Sequence, residues 1–423
     1  MTFKTITLPS GLRIITVPMQ DNPSVTVLVM VRAGSKYETK DINGLSHFLE
    51  HMCFKGTERR PKASDISREL DSIGANYNAF TSMEYTGYYA KAASKHAEKV
   101  IDVISDMYLH PIFDAKELEK EKGVIVEEIR MCNDLPQRKV YYVLTSLLFG
   151  DQPAGWSIAG PEETVKSMTR EQMIAYRAAH YTAPATTVIV SGSFNEKETI
   201  AQITKAFEKA DTKQSASKLP VKEAQSAPAI VISYKETDQT HLIIGFRSFD
   251  VNDKRAPVMY VLMGILGGGM SSRLFSKMRD QLGICYYIKA DNDSLTDHGY
   301  VSISAGVDNS RVEEGIKGIL EECRRIKTES VGAEELVKVK DYISGTTLLG
   351  LETSDARAEF CGYQDAIRGS VESPDELIAK VRAVTVKDVQ KLAREIFVNK
   401  GMNMALIGRY KDSESFRKYF SVD

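Results

Sequence analysis

The chain has 423 residues, of which 43% are hydrophobic and 26% charged, and its formal net charge is −2 with neutral histidines. This composition excludes a disordered chain, a collagen-like fibre and a disulfide-stapled miniprotein. A charge this close to zero gives no electrostatic reason to expect nucleic acid or an anionic membrane as the main partner.

Targeting and redox signals are sparse. The sequence shows no secretory signal and no stretch of about 20 apolar residues that would span a bilayer. The five cysteines form no CxxC pair, which is typical of free thiols in a reducing compartment. We therefore expect a cytoplasmic protein that does not enter a membrane.

The spacing of apolar residues predicts the secondary structure in chain order. Strands are predicted at residues 12–17 and 25–31, and a strand pair at residues 75–81 and 85–90. Helices are predicted at residues 44–54, 62–73, 96–109, 115–132 and 195–209. Strands in hairpin-like succession, followed by consecutive helices, favour an α+β sandwich over strict βαβ winding.

The sequence repeats itself at a constant offset of 216 residues. Val165 and Thr169 precede a helical stretch and an apolar strand that ends at Gly192, and the same pattern recurs from Val381 to Gly408. A constant offset over this span indicates an internal duplication. The alternative is that two amphipathic helices each precede a strand by chance.

A polar segment lies between the two copies. Residues 211–228 lack aromatic side chains and contain two prolines, as expected of an interdomain linker. We expect a first domain at residues 1–210, a linker at residues 211–227 and a homologous second domain at residues 228–423. Each would be an α/β sandwich.

The most specific signal in the sequence is His47-Phe-Leu-Glu50-His51. On a helix, His47 and His51 project from one face one turn apart, so that their imidazoles can bind one zinc ion. Glu50 lies beside them, where a carboxylate can take a proton from the attacking water. This HxxEH order is the inverse of the zinc-protease motif HExxH.

The alternative interpretation is a pair of structural histidines on an amphipathic helix. The neighbouring residues are apolar: Leu45, Phe48, Leu49 and Met52. In so apolar a helix, two histidines and a glutamate without a partner would be destabilising. This environment favours the metal site.

A catalytic zinc site needs a third protein ligand. In the predicted helix at residues 115–132, periodicity places Glu121 and Glu128 on the apolar face, together with Val124, and Glu127 on the solvated face. Glu128 as a ligand, and Glu121 as a carboxylate that orients a histidine, would explain two acidic groups on that face. The alternative is that both are partly exposed helix charges.

These motifs resemble the pitrilysin/insulinase family of inverzincin metallopeptidases. Beside HxxEH and the glutamate that follows it after 76 residues, the similarity includes the segment Gly74-Ala-Asn-Tyr-Asn-Ala-Phe-Thr81 and, in the second half, Gly267-Gly-Gly-Met-Ser-Ser-Arg-Leu-Phe275. It covers nearly the whole chain. The chain length resembles the half-length branch, which includes the β subunit of mitochondrial processing peptidase and its bacterial homologues.

The resemblance implies a role for each residue of the motif. His47, His51 and Glu128 would bind zinc, and Glu50 would be the general base. Glu121 would be an auxiliary carboxylate beside the site. The implied activity is that of a zinc metalloendopeptidase.

The resemblance also implies how substrate is bound. Asn78, Ala79 and Phe80 would pair with the peptide backbone as an added strand, which an exposed sheet edge permits. Arg279 and Tyr286 match the spacing of an Arg/Tyr pair that binds substrate and stabilises the tetrahedral intermediate in this family. On their own, these two residues read as a surface arginine and a half-buried strand tyrosine, and the adjacent Tyr287 leaves the register open by one residue.

The second half carries no copy of the metal motif. The positions 216 residues beyond His47 and His51 are Met263 and Gly267. The glycine run at residues 267–269 lacks the phosphate-binding GxxxxGK[ST] pattern, so we expect a flexible or substrate-contacting loop there.

The assembly implied by the resemblance is a dimer. Full-length relatives form a clamshell of four such domains, so a two-domain chain would form a homodimer in which the zinc site of one subunit meets Arg279 and Tyr286 of the other. A closed chamber would favour short or unfolded peptides. The alternatives are one subunit of a heterodimeric processing protease and a non-catalytic scaffold of the same fold.

Overall fold

Two β-sheets organise the chain, one in each of two units. The structure, a computed structural model, describes residues 1–423. Unit 1 consists of Met1–Arg130, Ser157–Leu219 and Leu349–Ser373. Unit 2 consists of Met131–Trp156, Pro220–Leu348 and Pro374–Asp423.

Sheet 2 repeats the topology of sheet 1 without its edge strand β1 (Lys4–Thr7). The strands of sheet 1 are β1 (Lys4–Thr7), β2 (Arg13–Pro18), β3 (Ser24–Val31), β4 (Asn76–Thr81), β5 (Thr86–Ala93) and β6 (Thr186–Gly192). Those of sheet 2 are β7 (Ala229–Tyr234), β8 (Gln239–Ser248), β9 (Cys285–Ser294), β10 (Gly299–Asp308) and β11 (Met402–Gly408). The strand orders are β1-β2-β6-β3-β5-β4 and β7-β11-β8-β10-β9. In each sheet one pair is parallel, β2 with β6 and β7 with β11, and the other pairs are antiparallel.

Helices make up most of the remaining chain. In chain order they are α1 (Leu45–Cys53), α2 (Ala63–Asp71), α3 (Ala97–Leu109), α4 (Ala115–Asp134), α5 (Pro136–Phe149), α6 (Glu162–Ser167), α7 (Arg170–His180), α8 (Glu196–Ala206), α9 (Ala256–Gly267), α10 (Arg273–Phe275), α11 (Val312–Thr328), α12 (Ala333–Leu349), α13 (Ser354–Arg368), α14 (Pro374–Ala383), α15 (Val386–Ile396) and α16 (Glu414–Arg417). The predicted α+β class is confirmed, and the predicted strands and helices fall on β2 to β5, α1 to α4 and α8. No helix combines the length and the apolar character that a membrane span requires.

The repeated sequence has a local structural cause. Thr169 and Thr385 are the N-cap residues of α7 and α15, and each accepts a hydrogen bond from the backbone of a residue three positions later, Gln172 and Asp388 respectively. Each of those side chains in turn accepts from the cap's own N–H, which completes a capping box. The repeated threonines therefore start equivalent helices in the two copies.

Sheet 1 is buried on both faces, which explains the unbroken apolar sequence of β3. Val25, Val27 and Val29 face the larger cluster formed with the helices of unit 1, including α1 and α3. Leu28 and Met30 face the other way, towards α13.

The two halves of the sequence exchange one helix each. Helix α13, from the second half, belongs to unit 1 and covers sheet 1, whereas α5, from the first half, belongs to unit 2 and covers sheet 2. Their positions differ by about the repeat offset, so they are counterparts in the duplication. The contiguous ranges expected from the sequence, residues 1–210 and 228–423, do not include this exchange, because an amphipathic pattern does not specify which sheet a helix covers.

The glycine run of the second half has a packing role. A Cβ on Gly267 would lie 2.4 Å from the backbone nitrogen of Ala290 on β9, so only glycine lets the end of α9 approach this strand. Gly269 has a φ of +116°, which also favours glycine. These glycines thus allow a close contact between α9 and β9, and the expectation of a flexible or substrate-contacting loop stays a prediction.

Loss of the α5 contact should destabilise unit 2. Leu144 on α5 is fully buried, and its methyl groups lie over Gly245 of β8. We expect Leu144→Ala to lower the free energy of unfolding by about 2–5 kcal/mol, because truncation leaves a cavity. Urea denaturation, monitored by circular dichroism, measures this change in the free energy of unfolding. Leu348→Ala, at a position 54% exposed, is the matched control, and equal midpoints for the two variants would contradict the packing role of α5.

Candidate metal centre

Helix α1 is fixed at its N-terminus by a buried carboxylate. Gly44 is the N-cap residue, with a φ of 101°, and as a glycine it has no side chain that could cap the helix. Instead Glu38 Oε2 accepts from Gly44 N at 2.8 Å and Glu38 Oε1 from Ser46 N at 2.7 Å. Asn43 Nδ2 also donates to Glu38, at 3.0 Å. The Glu38 carboxyl thereby accepts from N–H groups that the first helical turn leaves unpaired, and these hydrogen bonds oppose the burial that raises its pKa to about 7.

The apolar face of α1 sets the direction of the motif. Leu45, Phe48, Leu49 and Met52 are fully buried in the core of unit 1. With these four side chains on the core side, His47 and His51 project together from another side of the helix. Their ring centroids are 4.6 Å apart.

The two imidazoles converge on Glu128 of α4. His47 Nε2 lies 3.7 Å and His51 Nε2 3.6 Å from the same oxygen, Glu128 Oε2. The three ligand atoms of this group all lie within 4.8 Å of one another. The structure therefore brings together three residues that are distant in sequence.

This donor set fits a zinc ion. In a tetrahedral site with Zn–N and Zn–O distances of about 2.0–2.1 Å, ligand atoms are separated by about 3.3 Å, close to the separations seen here. Two histidines and a carboxylate are also a ligand set of catalytic zinc, which keeps a fourth position for water or substrate. Glu128 retains 38% exposure of its side chain, so the group is open to solvent.

Glu121 joins His51 to a lysine. His51 Nδ1 donates to Glu121 Oε1 at 2.8 Å, and Lys55 Nζ lies 2.6 Å from Glu121 Oε2. Protonation at Nδ1 leaves His51 Nε2 free to act as a ligand. Glu121 thus contacts a histidine of the group and is itself 4% exposed.

Glu50 lies beside the group and is held by a strand. Thr81 Oγ1, at the end of β4, donates a hydrogen bond to Glu50 Oε2. Glu50 is 9% exposed. Burial raises its pKa above the usual range, although the Thr81 hydrogen bond and His51 oppose the shift. A carboxyl with a raised pKa is suited to accept and return a proton near neutral pH.

The two histidines titrate differently in the metal-free site. Burial, assisted by the charge of His51, lowers the pKa of His47 to about 4. Burial also acts to lower the pKa of His51, but the Glu121 hydrogen bond and the carboxylates of Glu50 and Glu128 outweigh it and raise that pKa. At neutral pH His47 is therefore a neutral ligand.

The predicted peptide-binding residues lie on an edge strand. Strand β4 pairs only with β5, so its other edge is open. Asn78 is exposed, and its Oδ1 accepts from the N–H of Ala79 at 2.9 Å. The Phe80 ring packs over Gly87, where a Cβ would lie 2.4 Å from the ring. The Phe80 side chain is therefore held against its own sheet.

Arg279 and Tyr286 lie together in unit 2. Arg279, in a π-helical turn (Ser276–Gln281), donates to the Tyr286 carbonyl oxygen at 3.3 Å, and its guanidinium carbon is 5.5 Å from the Tyr286 ring. Tyr286 is 73% exposed. Tyr287 instead turns towards β8, and its hydroxyl lies 3.0 Å from His241 Nδ1. Tyr286 is thus the exposed tyrosine of the two, and its role in substrate binding stays a prediction.

The sequence did not predict several neighbours of the group, and it predicted too much burial for one residue of α4. Lys55 follows His51 by four residues, a spacing that a search for helix pairs could have found, although α1 already ends at Cys53. Glu38 and Thr81 are brought in by tertiary contacts alone. Val124, placed on the apolar face by periodicity, is 52% exposed, because that side of α4 is open beside Glu128.

The fold and this group of side chains define a protein of the inverted zinc-protease class. Residues 13–162 match the sequence model of the family described as Insulinase (Peptidase family M16), and residues 167–343 match the Peptidase M16 inactive domain. The chain belongs to peptidase family M16.

Similar proteins agree with this assignment. An uncharacterized zinc protease of Bacillus subtilis, YmxG, is 35% identical over 93% of this chain and 95% of its own length. The uncharacterized zinc protease SCO5738 of Streptomyces coelicolor is 31% identical over 100% of this chain and 93% of its own. The crystal structure of a protease from Helicobacter pylori shares the fold, with a TM-score of 0.89 at 21% identity over 96% of this chain and 99% of that one.

The titration of the two histidines can be tested on metal-free protein. We expect the His47 ring to titrate near pH 4 and the His51 ring above 6.5. Since the folded pKa of His47 lies below its unfolded value, this group reduces stability as the pH falls from about 6.5 to about 4. Histidine NMR signals, assigned with His47→Ala and His51→Ala, measure both values. Two rings that titrate together near 6.5 would contradict the geometry.

Proposed function

We propose that the protein is a zinc metalloendopeptidase that hydrolyses short or unfolded peptides. The observation that carries this proposal is the convergence of His47 Nε2 and His51 Nε2 on one oxygen of Glu128, with Glu50 alongside. In this proposal those three residues hold the metal. A zinc ion in this position supplies Lewis acidity towards the scissile carbonyl and the attacking water.

Glu50 performs the proton transfer. Its carboxylate accepts a proton from the attacking water and returns it to the leaving amine. The Thr81 hydroxyl holds one carboxylate oxygen, which leaves the other to meet the water. The raised pKa of Glu50 makes its carboxylate a stronger base towards the attacking water.

The substrate lies extended against the open edge of β4. Backbone groups of Asn78, Ala79 and Phe80 pair with the peptide, which gives binding without a demand for particular side chains. Because the Ala79 N–H is already paired with Asn78 Oδ1, the Asn78 side chain has to move or rebind when a peptide uses that N–H. Pairing of this kind requires an unfolded segment.

Arg279 and Tyr286 complete the site in a homodimer. The exposed phenol of Tyr286 donates to the developing oxyanion and the guanidinium of Arg279 binds a peptide carbonyl. We assign these residues to the partner subunit, because a two-domain chain carries half of the domains of the full-length relatives. We place the protein in the cytoplasm, where the five unpaired thiols would stay reduced.

Replacement of the proposed base separates chemistry from metal binding. We expect Glu50→Gln to keep zinc and to lose nearly all peptide hydrolysis, by at least about 10²-fold, because the amide cannot take the proton. Cleavage of a peptide library, read by mass spectrometry with a chelator control, measures this. Glu127→Gln, on the exposed side of α4, is the matched control and should be unchanged. Full activity of Glu50→Gln would contradict the assignment, and an inactive but zinc-replete wild-type chain would favour a scaffold or a heterodimer subunit.

Mixing two inactive variants tests the shared site. If Tyr286 acts on the partner's metal centre, a mixed dimer of Glu50→Gln and Tyr286→Phe contains one intact site. We expect dissociation and reassociation of the two proteins to restore about a quarter of wild-type activity, since half of the dimers are mixed and each has one active site of two. No restoration, or a fully active monomer in analytical ultracentrifugation, would overturn the shared site.

A further inference from the structure

His47 differs from its neighbours in having no hydrogen bond to orient it. His51 is held through Nδ1 by Glu121, and Glu50 is held by Thr81. His47 Nδ1 is buried and has no hydrogen-bond partner. Ligating histidines usually donate their second ring N–H to a neighbouring group, which fixes the ring. The direction of the His47 ring therefore depends on the position of the helical turn that carries it.

That turn is held by Glu38. The two backbone N–H groups bound by its carboxylate belong to Gly44 and Ser46, and Ser46 is the residue immediately before His47. Asn43 Nδ2 donates at 3.0 Å to Glu38 Oε2, the same oxygen that accepts from Gly44 N. Both oxygens are thus in use, and the contact fixes the first turn of α1 in translation and in rotation.

The surroundings of Glu38 make this contact rigid. Glu38 is 3% exposed, so no solvent competes for its oxygens. The Ser46 hydroxyl lies 2.8 Å from the Tyr176 hydroxyl, which in turn donates to the Gly34 carbonyl oxygen at 3.2 Å. The residue before His47 is therefore held through both its backbone and its side chain.

We propose that Glu38 is the positioning residue for His47: its carboxylate fixes the first turn of α1 and so aims the unsupported imidazole at the metal. This inference rests on the proposed zinc site. It assigns to His47, through the backbone, the support that Glu121 gives to His51 through a side chain. Glu38 does not contact the metal or the substrate.

The test is a double-mutant cycle on zinc affinity. In Glu38→Gln one carboxylate oxygen becomes an NH₂ group, so at least one of the two backbone N–H groups loses its acceptor. We expect the zinc Kd, measured by competition with a chromophoric chelator, to rise by about 10- to 100-fold. In a His47→Ala background the same change should raise the Kd by less than about threefold, since the ring that Glu38 positions is already gone.

Controls separate positioning from general loosening. Asp365→Asn removes another buried carboxylate of unit 1, one that accepts from Arg13 and Thr187, and should leave the zinc Kd unchanged. Glu38→Asp keeps the charge on a shorter side chain. It should lose less zinc affinity than Glu38→Gln, and that loss should show the same dependence on His47. If Glu38→Gln fails to fold, Glu38→Asp replaces it in the double-mutant cycle.

Each outcome decides the inference. A rise in Kd that is equal with and without His47, or no rise at all, would overturn the positioning role while leaving the zinc site intact. Wild-type protein that binds no zinc would overturn the proposed function, and this inference with it. A loss of zinc affinity that depends on His47 supports both the positioning role of Glu38 and the proposed zinc site.

Discussion

The arrangement of the candidate metal centre depends on one local constraint, the burial of the apolar face of α1. Four side chains of this short helix are fully buried, so the helix can neither rotate nor translate without loss of core contacts. This fixes the direction in which His47 and His51 leave the helix. Helix α4 then places the Glu128 carboxylate beside both imidazoles. The convergence of His47, His51 and Glu128 thus follows from how α1 packs in the core of unit 1.

The electrostatics of the site favour a divalent cation. Glu50, Glu121 and Glu128 surround two imidazoles, of which His47 is neutral at physiological pH. Lys55 is paired with Glu121, and the hydrogen bonds from His51 and Lys55 overcome burial and lower the pKa of Glu121. A cation between the histidines and Glu128 would relieve the repulsion between Glu50 and Glu128, which acts to raise the pKa of Glu50.

Much of this could be predicted from the sequence because it is periodic or local. The spacing of His47 and His51 on one helix and the choice of Glu128 over Glu127 both follow from helical periodicity. The repeat that contains Thr169 and Thr385 follows from a constant sequence offset. The exchange of α5 and α13 could not be predicted, since periodicity within a helix does not specify which sheet that helix covers. Which sheet each one covers is decided by the path of the whole chain.

Tertiary contacts account for the other gaps. Glu38 is separated from Ser46 by a loop with no recognisable signal, and only the fold brings its carboxylate under α1. Tyr286 and Tyr287 could not be told apart by spacing. In the structure alternation along β9 turns Tyr287 towards His241 and leaves Tyr286 exposed.

The most direct test of the central claim is anomalous X-ray diffraction at the zinc edge from crystals of the zinc-loaded protein. The account predicts one peak in unit 1, bound by Nε2 of His47, Nε2 of His51 and a carboxylate oxygen of Glu128 at about 2.0–2.2 Å. A zinc ion bound elsewhere, or a fully ordered site whose three side chains carry no metal at saturating zinc, would contradict it.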